Sequence, residues 1–278
     1  MRVLVFFALL PFVLWAKNPT LMVFMRPETC PWCGKFEEEI LSQKAFQQNV
    51  EGKIDITRST TLEMEERYQI TEVPSLILLS ATGDEITRLS YLPLTPEAFA
   101  DHLLKICALQ VEIDQLTEKS ADQLKELYNT VSLLSCEKWK AKVLECGIQK
   151  DTGIFFLLEK YAALKAVHSK KAHSIREQIL QRQIRGAELQ LAIIDAQERL
   201  NHNEPISSVI KPLKRYIDKF GEKEKNEVWR AHLFISQYLI RGEKWDEALK
   251  HAEMAHKMAP EAEKKQAQTT LNFLKEQR

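Results

Sequence analysis

Residues 21–33 read LMVFMRPETCPWC. The apolar run from Leu21 to Met25 contains no polar residue, which is typical of a β-strand buried on both faces. A Cys-Pro-Trp-Cys motif follows after four intervening residues, and Pro31 favours the first turn of a helix because no backbone N–H is needed there. The stretch therefore predicts a buried strand that leads into a helix, with two cysteines at the junction.

Cys30 and Cys33 are the candidate catalytic residues. Cys30 falls at the predicted helix N-terminus, where free backbone N–H groups and the helix dipole stabilise a thiolate. Cys33 follows one turn later, so the pair can attack a substrate disulfide and then resolve the mixed disulfide. A structural disulfide and half of a zinc site are the alternatives. Zinc is disfavoured, and no metal is predicted, because the next cysteine is Cys107 and no His-x-x-His accompanies it.

Alternating strand and helix patterns continue to about residue 110. They predict strands at 54–57, 75–79 and 85–91 and helices at 31–41, at 63–68 and after Thr95. With the first strand, the order is β-α-β-α-β-β-α, which is a small α/β domain over residues 17–110. Val73 and Pro74 open the third strand, and a proline there is a candidate for a cis peptide bond. Beside the cysteines, this bond would leave the preceding backbone free to pair with an extended substrate segment.

These motifs resemble the thioredoxin superfamily. The similar stretches occur in the family's order, namely TCPWCGKFEEEIL at 29–41, KIDITRS at 53–59, ITEVPSLILLSATGDEITRLSY at 70–91 and LTPEAFADHLLKI at 94–106. The segment at 37–49 also resembles the exported thioredoxin-like branch, which includes disulfide-interchange proteins.

The resemblance implies thiol–disulfide exchange with protein substrates and with a redox partner protein. It assigns Cys30 as nucleophile, Cys33 as resolving thiol and Pro74 as the cis-proline. Trp32 and Val73 are the other candidate substrate-binding residues, because both lie beside these positions in the motifs.

Two features depart from the family pattern. Only four residues separate the predicted signal segment from the first strand, so the usual additional N-terminal β-α unit is missing. Phe24 occupies the position six residues before the first cysteine, where thioredoxins commonly place a buried Asp. No carboxylate is available there to accept the proton of Cys33, so the sequence leaves the oxidising, reducing or isomerising direction open.

The first 16 residues have the pattern of a signal peptide. Arg2 precedes an apolar run from Val3 to Trp15, and Ala16 is a small residue suited to a cleavage site. The run is shorter than the roughly 20 residues that a membrane-spanning helix needs. We therefore expect export, most simply to a bacterial periplasm, with an uncleaved membrane anchor as the alternative.

Residues 111–278 are predicted to be all helical. The apolar periodicity indicates helices at 121–134, 137–144, 155–200, 227–240 and 245–258. The stretch around 242–260 resembles the second helix of a tetratricopeptide repeat, with small residues at close-packing positions and a terminal proline. In such repeats the preceding helix binds a peptide partner, which makes Arg230, Gln237 and Arg241 candidate partner-binding residues. The alternative is that these three are solvated surface residues.

Composition narrows the function classes further. Lys plus Arg and Asp plus Glu both number 39, so the net charge is zero and nucleic-acid binding has no support. The chain contains only 8 glycines and no glycine-rich motif that binds nucleotide phosphates, so no cofactor is predicted.

Cys136 and Cys146 are expected to be buried or capping thiols rather than a second redox pair. The leading hypothesis is an exported thiol–disulfide oxidoreductase; the alternative is a non-enzymatic, tetratricopeptide-like binding or assembly protein whose Cys-x-x-Cys is a structural disulfide or redox sensor.

Overall fold

The computed structural model describes residues 18–26, 28–89, 93–167 and 170–277. The chain divides into two compact units, of which the first ends at Cys146 and the second begins at Gly147. The predicted signal peptide, residues 1–16, lies outside the described residues. Among the described helices, none combines the length and the apolar character that crossing a membrane requires.

A four-stranded mixed sheet forms the centre of the first unit. Its strands are β1 (Thr20–Phe24), β2 (Asp55–Ser59), β3 (Ser75–Leu79) and β4 (Glu85–Leu89). The spatial order is β2-β1-β3-β4; β2 runs parallel to β1, whereas β3 is antiparallel to both β1 and β4. Met22 on β1 lies opposite Thr57 and Ile77, which places β1 in the middle of the sheet.

Within the described residues, seven α-helices accompany these strands, in addition to a π-helical turn at Glu37–Leu41 that continues the first of them and a 3-10 helix at Leu116–Glu118. They are α1 (Pro31–Phe36), α2 (Lys44–Val50), α3 (Leu62–Tyr68), α4 (Pro96–Ala108), α5 (Gln110–Asp114), α6 (Ala121–Leu133) and α7 (Glu137–Lys150). The α/β fold class predicted for this part of the chain is confirmed. The helix predicted over 31–41 is confirmed in its extent, and its second half, from Glu37, has π rather than α geometry. Helix α2 was not predicted, since only Phe46 and Val50 of its seven residues are buried.

Two apolar layers cover the sheet. Four consecutive β1 residues, Leu21 to Phe24, are at most 1% exposed, as expected for a strand with two buried faces. Met22 and Phe24 pack in one cluster with Ile70, Ile77 and Leu79.

A separate aromatic cluster ties three helices together. The ring of Phe99 lies 5.6 Å from that of Phe36 and 5.8 Å from that of Phe46, measured between centroids. This cluster joins α4 to α1 and α2, and so it fixes the helix that carries the two cysteines.

The second unit is entirely helical within the described residues. Its helices are α8 (Phe155–Ala166), α9 (Lys171–Gln181), α10 (Ala187–Asn201), α11 (Ile206–Val209), α12 (Lys211–Phe220), α13 (Lys225–Arg241), α14 (Trp245–Met258) and α15 (Lys264–Glu276). The continuous helix predicted over 155–200 is wrong. Between α9 and α10 the backbone turns through positive φ at Gln183 (51°) and Gly186 (80°), and glycine adopts this conformation without a steric penalty.

The hairpin of α13 and α14 packs closely. Ser236, Ala248, Ala252 and Ala255 are fully buried, and the Ser236 hydroxyl donates a 2.8 Å hydrogen bond to the Ala248 carbonyl. Small side chains at these positions let the two backbones approach each other, as the sequence pattern predicted.

Candidate active site at the Cys30–Cys33 disulfide

Cys30 is the N-cap residue of α1. Its backbone is extended, with φ −122° and ψ 97°, and the Cys33 backbone N–H donates a 3.1 Å hydrogen bond to Cys30 Sγ. Pro31 begins the helix without an N–H group to satisfy. The cap therefore provides a backbone donor and the positive end of a helix dipole at the Cys30 sulfur, and both stabilise negative charge there.

The two cysteines form a disulfide. Their Cα atoms are 5.3 Å apart, across one helical turn. Cys30 is 7% exposed and Cys33 only 1%, so Cys30 is the more accessible of the two residues to a second protein.

The start of β3 lies directly against Cys30. The Val73–Pro74 peptide bond is cis, and the Val73 carbonyl oxygen lies 3.6 Å from Cys30 Sγ. The fold thus brings together two motifs that are 43 residues apart in the chain. Trp32 completes the surroundings of the disulfide, with 56% of its surface exposed.

Comparison with known proteins finds a family model that matches the part of the chain containing this site. Residues 14–106 match the family model described as a thioredoxin-like domain. This part of the chain is a thioredoxin-like domain. Together with its Cys30–Cys33 disulfide, the match identifies the protein in general terms as a thiol–disulfide oxidoreductase.

One relative aligns over nearly the whole chain. It is the thioredoxin-related protein DsbJ of Chlamydia pneumoniae, 27% identical over 292 aligned positions that cover 94% of this chain and 84% of the relative. Among solved structures, a DsbH oxidoreductase is similar at 18% identity with a TM-score of 0.32, over 34% of this chain and 75% of that structure.

The thioredoxin-like domain has no carboxylate at position 24 that could accept the proton of Cys33. Phe24 is fully buried in the core and cannot accept a proton from Cys33. The first carboxylate after Cys33 in the chain is Glu37, which accepts hydrogen bonds of 2.9 and 2.7 Å from Arg58. Those hydrogen bonds lower the pKa of Glu37, so this group remains ionised and paired.

One contact beside the disulfide was not predicted from the sequence. The Lys35 ammonium lies 5.3 Å from the centroid of the Trp32 ring. The spacing of three residues within α1 is the signal that predicts such a contact, because residues at i and i+3 share a helix face. Lys35 adds a positive charge next to the exposed aromatic ring.

The remaining three cysteines are free thiols. Burial raises the pKa of the Cys136 thiol to about 12 and that of Cys107 to about 11. The Cys136 thiol donates to the Leu134 carbonyl at 3.6 Å, whereas the Cys146 thiol donates to Leu116 at 3.5 Å. The prediction that Cys136 and Cys146 do not form a second disulfide is confirmed.

The candidate partner-binding residues lie outside the thioredoxin-like domain, on α13. Arg230 is half-buried and forms a 3.3 Å ion pair with Glu227 of the same helix, whereas Gln237 and Arg241 are exposed. In the described part of the chain, no cluster of three or more histidine, cysteine or acidic side chains has the arrangement of a metal site.

Proposed function

We propose that the protein is an exported enzyme that exchanges disulfides with protein substrates through Cys30 and Cys33. The observation that carries this proposal is the position of Cys30, which is the N-cap of α1, bonded to Cys33 and 3.6 Å from the Val73 carbonyl. A purely structural disulfide needs no such environment, because helix-dipole stabilisation of a thiolate matters only when the bond opens.

The exchange proceeds in two balanced steps. In the reduced enzyme, the Cys30 thiolate attacks a substrate disulfide, forms a Cys30–substrate mixed disulfide and releases the first substrate thiolate. The Cys33 thiolate then attacks Cys30 Sγ, restores the Cys30–Cys33 disulfide and releases the second substrate thiolate. Two electrons pass from the enzyme to the substrate, and the reverse sequence oxidises a substrate dithiol.

Trp32, Val73 and Pro74 are the proposed substrate-binding residues. Val73 presents a backbone carbonyl beside the attacking sulfur, where an extended substrate segment can pair through a backbone N–H. Trp32 offers an exposed apolar ring on the same helix turn. Binding through backbone and ring is tolerant of substrate sequence, so we expect many protein substrates.

The proposal also covers the signal segment, the two domains and the proposed binding partners. Residues 1–16 direct export, and residues 17–110 and 111–278 form the redox and helical domains. In the helical domain, the tetratricopeptide-like hairpin of α13 and α14 binds a peptide partner through Arg230, Gln237 and Arg241. A redox partner protein renews the oxidation state of the Cys30–Cys33 pair.

Insulin reduction by dithiothreitol tests the catalytic role. The wild-type protein should accelerate insulin precipitation, whereas Cys30→Ser should abolish the acceleration. Cys146→Ser is the matched control, since this half-buried free thiol lies outside the site and its loss should leave the rate unchanged. A wild-type rate equal to that of Cys30→Ser would favour the structural-disulfide alternative.

The equilibrium reduction potential of the Cys30–Cys33 disulfide is a second test of this proposal. It also shows whether the enzyme oxidises or reduces its substrates. Structural disulfides of secreted proteins lie below about −300 mV, whereas exchange enzymes range from about −270 to −120 mV. We expect a value within the latter range. A value nearer its upper end indicates an oxidant, and a value nearer its lower end indicates a reductant.

A further inference from the structure

A cavity of about 350 Å³ in the helical unit is bordered by α8, α9, α10 and α12. We call it the basic groove, because cationic side chains dominate its walls. These are Lys165, Arg176, Arg199, Lys211, Arg215 and Lys219. Glu188 and Asp195 are the acidic side chains that line it.

The cations on the wall formed by α8, α9 and α10 are neutralised within the protein, and Arg199 on this wall pairs with Glu204 at 2.9 Å. Arg176 lies 3.0 Å from Asp195 and 3.6 Å from Glu188, and Lys165 lies 3.6 Å from Asp195. The Tyr161 hydroxyl donates a 2.6 Å hydrogen bond to Asp195, and burial with this contact raises the pKa of Tyr161 to about 12. This wall is therefore a closed polar network with its charges balanced.

The wall formed by α12 carries unbalanced charge. Lys211, Arg215 and Lys219 are exposed on α12 at intervals of four residues, and none of them forms an ion pair with a carboxylate in the described part of the chain. Lys219 contacts the Phe220 ring at 4.9 Å, a contact that leaves its charge uncompensated.

Helix stability does not account for this row of cations. Like charges four residues apart destabilise a helix, and Lys211 in the first turn opposes the helix dipole, whereas the dipole favours Lys219 in the last turn. Two like-charge pairs and one unfavourable dipole contact thus stand against one favourable contact. The row therefore costs local stability in the free protein. A negatively charged ligand in the groove would relieve that cost.

We propose that the basic groove binds an extended acidic segment of a partner protein. Residues four apart on a helix are displaced by about 6 Å along its axis. Side chains on one face of an extended peptide repeat every second residue, at about 6.6–6.8 Å. A segment with acidic residues at alternate positions therefore matches Lys211, Arg215 and Lys219 one for one.

Other anionic partners fit the groove less well. Glu188 and Asp195 would repel a continuous phosphate backbone. The chain as a whole has zero net charge, so it provides no long-range attraction for nucleic acid. The basic groove is separate from the site proposed at Arg230, Gln237 and Arg241, and the groove proposal does not rest on the thiol chemistry.

Fluorescence anisotropy with the full-length protein tests the proposal. The probe is a fluorescein-labelled peptide of alternating glutamate and serine, and the comparison peptide replaces each glutamate with glutamine. We expect binding of the glutamate peptide that weakens as salt is added. The variant Lys211→Ala/Arg215→Ala/Lys219→Ala should bind it roughly tenfold more weakly or worse, because three charge pairs are lost.

The matched control removes the same charge elsewhere on the unit. Lys250→Ala/Lys257→Ala/Lys275→Ala changes three exposed lysines outside the groove and should alter the affinity less than about twofold. Circular dichroism shows whether each variant is folded. The single variant Arg215→Glu provides the same test if the triple variant does not fold, and it should also weaken binding.

The proposal would be overturned if the protein bound the glutamine peptide as tightly as the glutamate peptide, or if the triple variant bound the glutamate peptide as tightly as wild type. An equal loss of affinity in the control variant would also overturn it. So would binding of phosphatidylglycerol vesicles, or of a single-stranded oligonucleotide, that depends on the groove and is tighter than binding of the glutamate peptide. Insulin reduction by the triple variant should equal that of wild type. Failure of the groove and failure of the redox function are therefore distinguishable.

Discussion

At the residue scale, the five cysteines differ in what surrounds each sulfur. Cys30 receives a backbone N–H and stands at a helix N-terminus, whereas burial removes water from the thiols of Cys107 and Cys136. Desolvation disfavours a thiolate, and a donor at a helix N-terminus favours it. The Cys30 thiol should therefore react faster than the Cys107 and Cys136 thiols with a small reagent, even when no substrate protein is present.

Alkylation of the reduced protein checks this difference. We expect iodoacetamide near pH 7 to modify Cys30 first and to leave Cys107 and Cys136 unmodified while the protein is folded. With pKa values raised to about 11 and about 12, these two thiols hold almost no thiolate at that pH. Peptide mass mapping over time provides the measurement, and labelling of Cys136 as fast as Cys30 would contradict the assignment.

A histidine pair in the helical unit is a second residue-scale feature. Nδ1 of His232 lies 2.8 Å from Nδ1 of His251, so one ring donates and the other accepts. Burial, with a smaller effect from His251, lowers the pKa of His232 to about 4. Burial and then Lys214 lower the pKa of His251, against the opposing effect of Glu247.

This pair predicts acid sensitivity of the helical unit. An unfolded histidine has a pKa of about 6.5. Because the folded values are lower, the unfolded state binds more protons below that pH. The stabilisation is thus complete above pH of about 6.5 and is lost as the pH falls toward 4. We expect urea unfolding to show a loss on the order of 2 kcal/mol over this range.

The variant His232→Gln isolates the effect, because glutamine can hydrogen-bond but does not titrate. Its unfolding free energy should fall less steeply between those pH values than that of wild type. Equal slopes would show that other groups control the acid response. The sequence did not predict the pair, since 19 residues separate the two histidines and only the packing of α14 on α13 brings them together.

At the element scale, the predictable parts were those with strong local signals. The apolar run of β1 and the Thr95 cap of α4 were predicted, and the Thr95 hydroxyl accepts from the Ala98 N–H at 3.2 Å. Helix α2 was missed because its sequence has too few apolar residues to show a period. The division into α8, α9 and α10 was missed because similar periodicity continues past Gly186, the one local signal of a break before α10.

Two helical glycines test packing at this scale. A Cβ atom on Gly34 of α1 would have no neighbour within 4 Å, whereas one on Gly147 of α7 would lie 2.5 Å from the buried Phe156 ring. Gly34→Ala should stabilise the protein by up to about 1 kcal/mol through helix propensity. Gly147→Ala should destabilise it, because overpacking costs roughly 1–3 kcal/mol.

Thermal unfolding of both variants beside wild type provides the measurement. We expect a raised midpoint for Gly34→Ala and a lowered midpoint for Gly147→Ala. A stabilised Gly147→Ala protein would mean that Phe156 moves aside at no cost.

At the scale of the whole molecule, the sequence predicted a change from mixed to helical pattern near residue 110. The structure groups the following helices, α5 and α6, with the first compact unit. The Thr87 hydroxyl on β4 donates to the Ser135 carbonyl at 3.0 Å, and Lys138 forms a 3.1 Å ion pair with Glu85. These contacts join segments about 50 residues apart, which local patterns do not show.

The second unit has its own apolar core. Its clusters draw every member from residues between 148 and 274. We therefore expect the fragment 147–278 to fold alone, with a helical circular dichroism spectrum and a cooperative thermal transition. A fragment without cooperative unfolding would show that the unit depends on the rest of the chain.

The central claim, exchange of disulfides with proteins through Cys30, is tested most directly by trapping. In Cys33→Ser the resolving thiol is absent, so the first step should stop at a mixed disulfide. Incubating this variant with a disulfide-containing protein, followed by non-reducing electrophoresis and mass mapping, should show adducts joined at Cys30. Cys30→Ser should form none. Absence of adducts in Cys33→Ser, or adducts joined at Cys107, Cys136 or Cys146, would contradict the account.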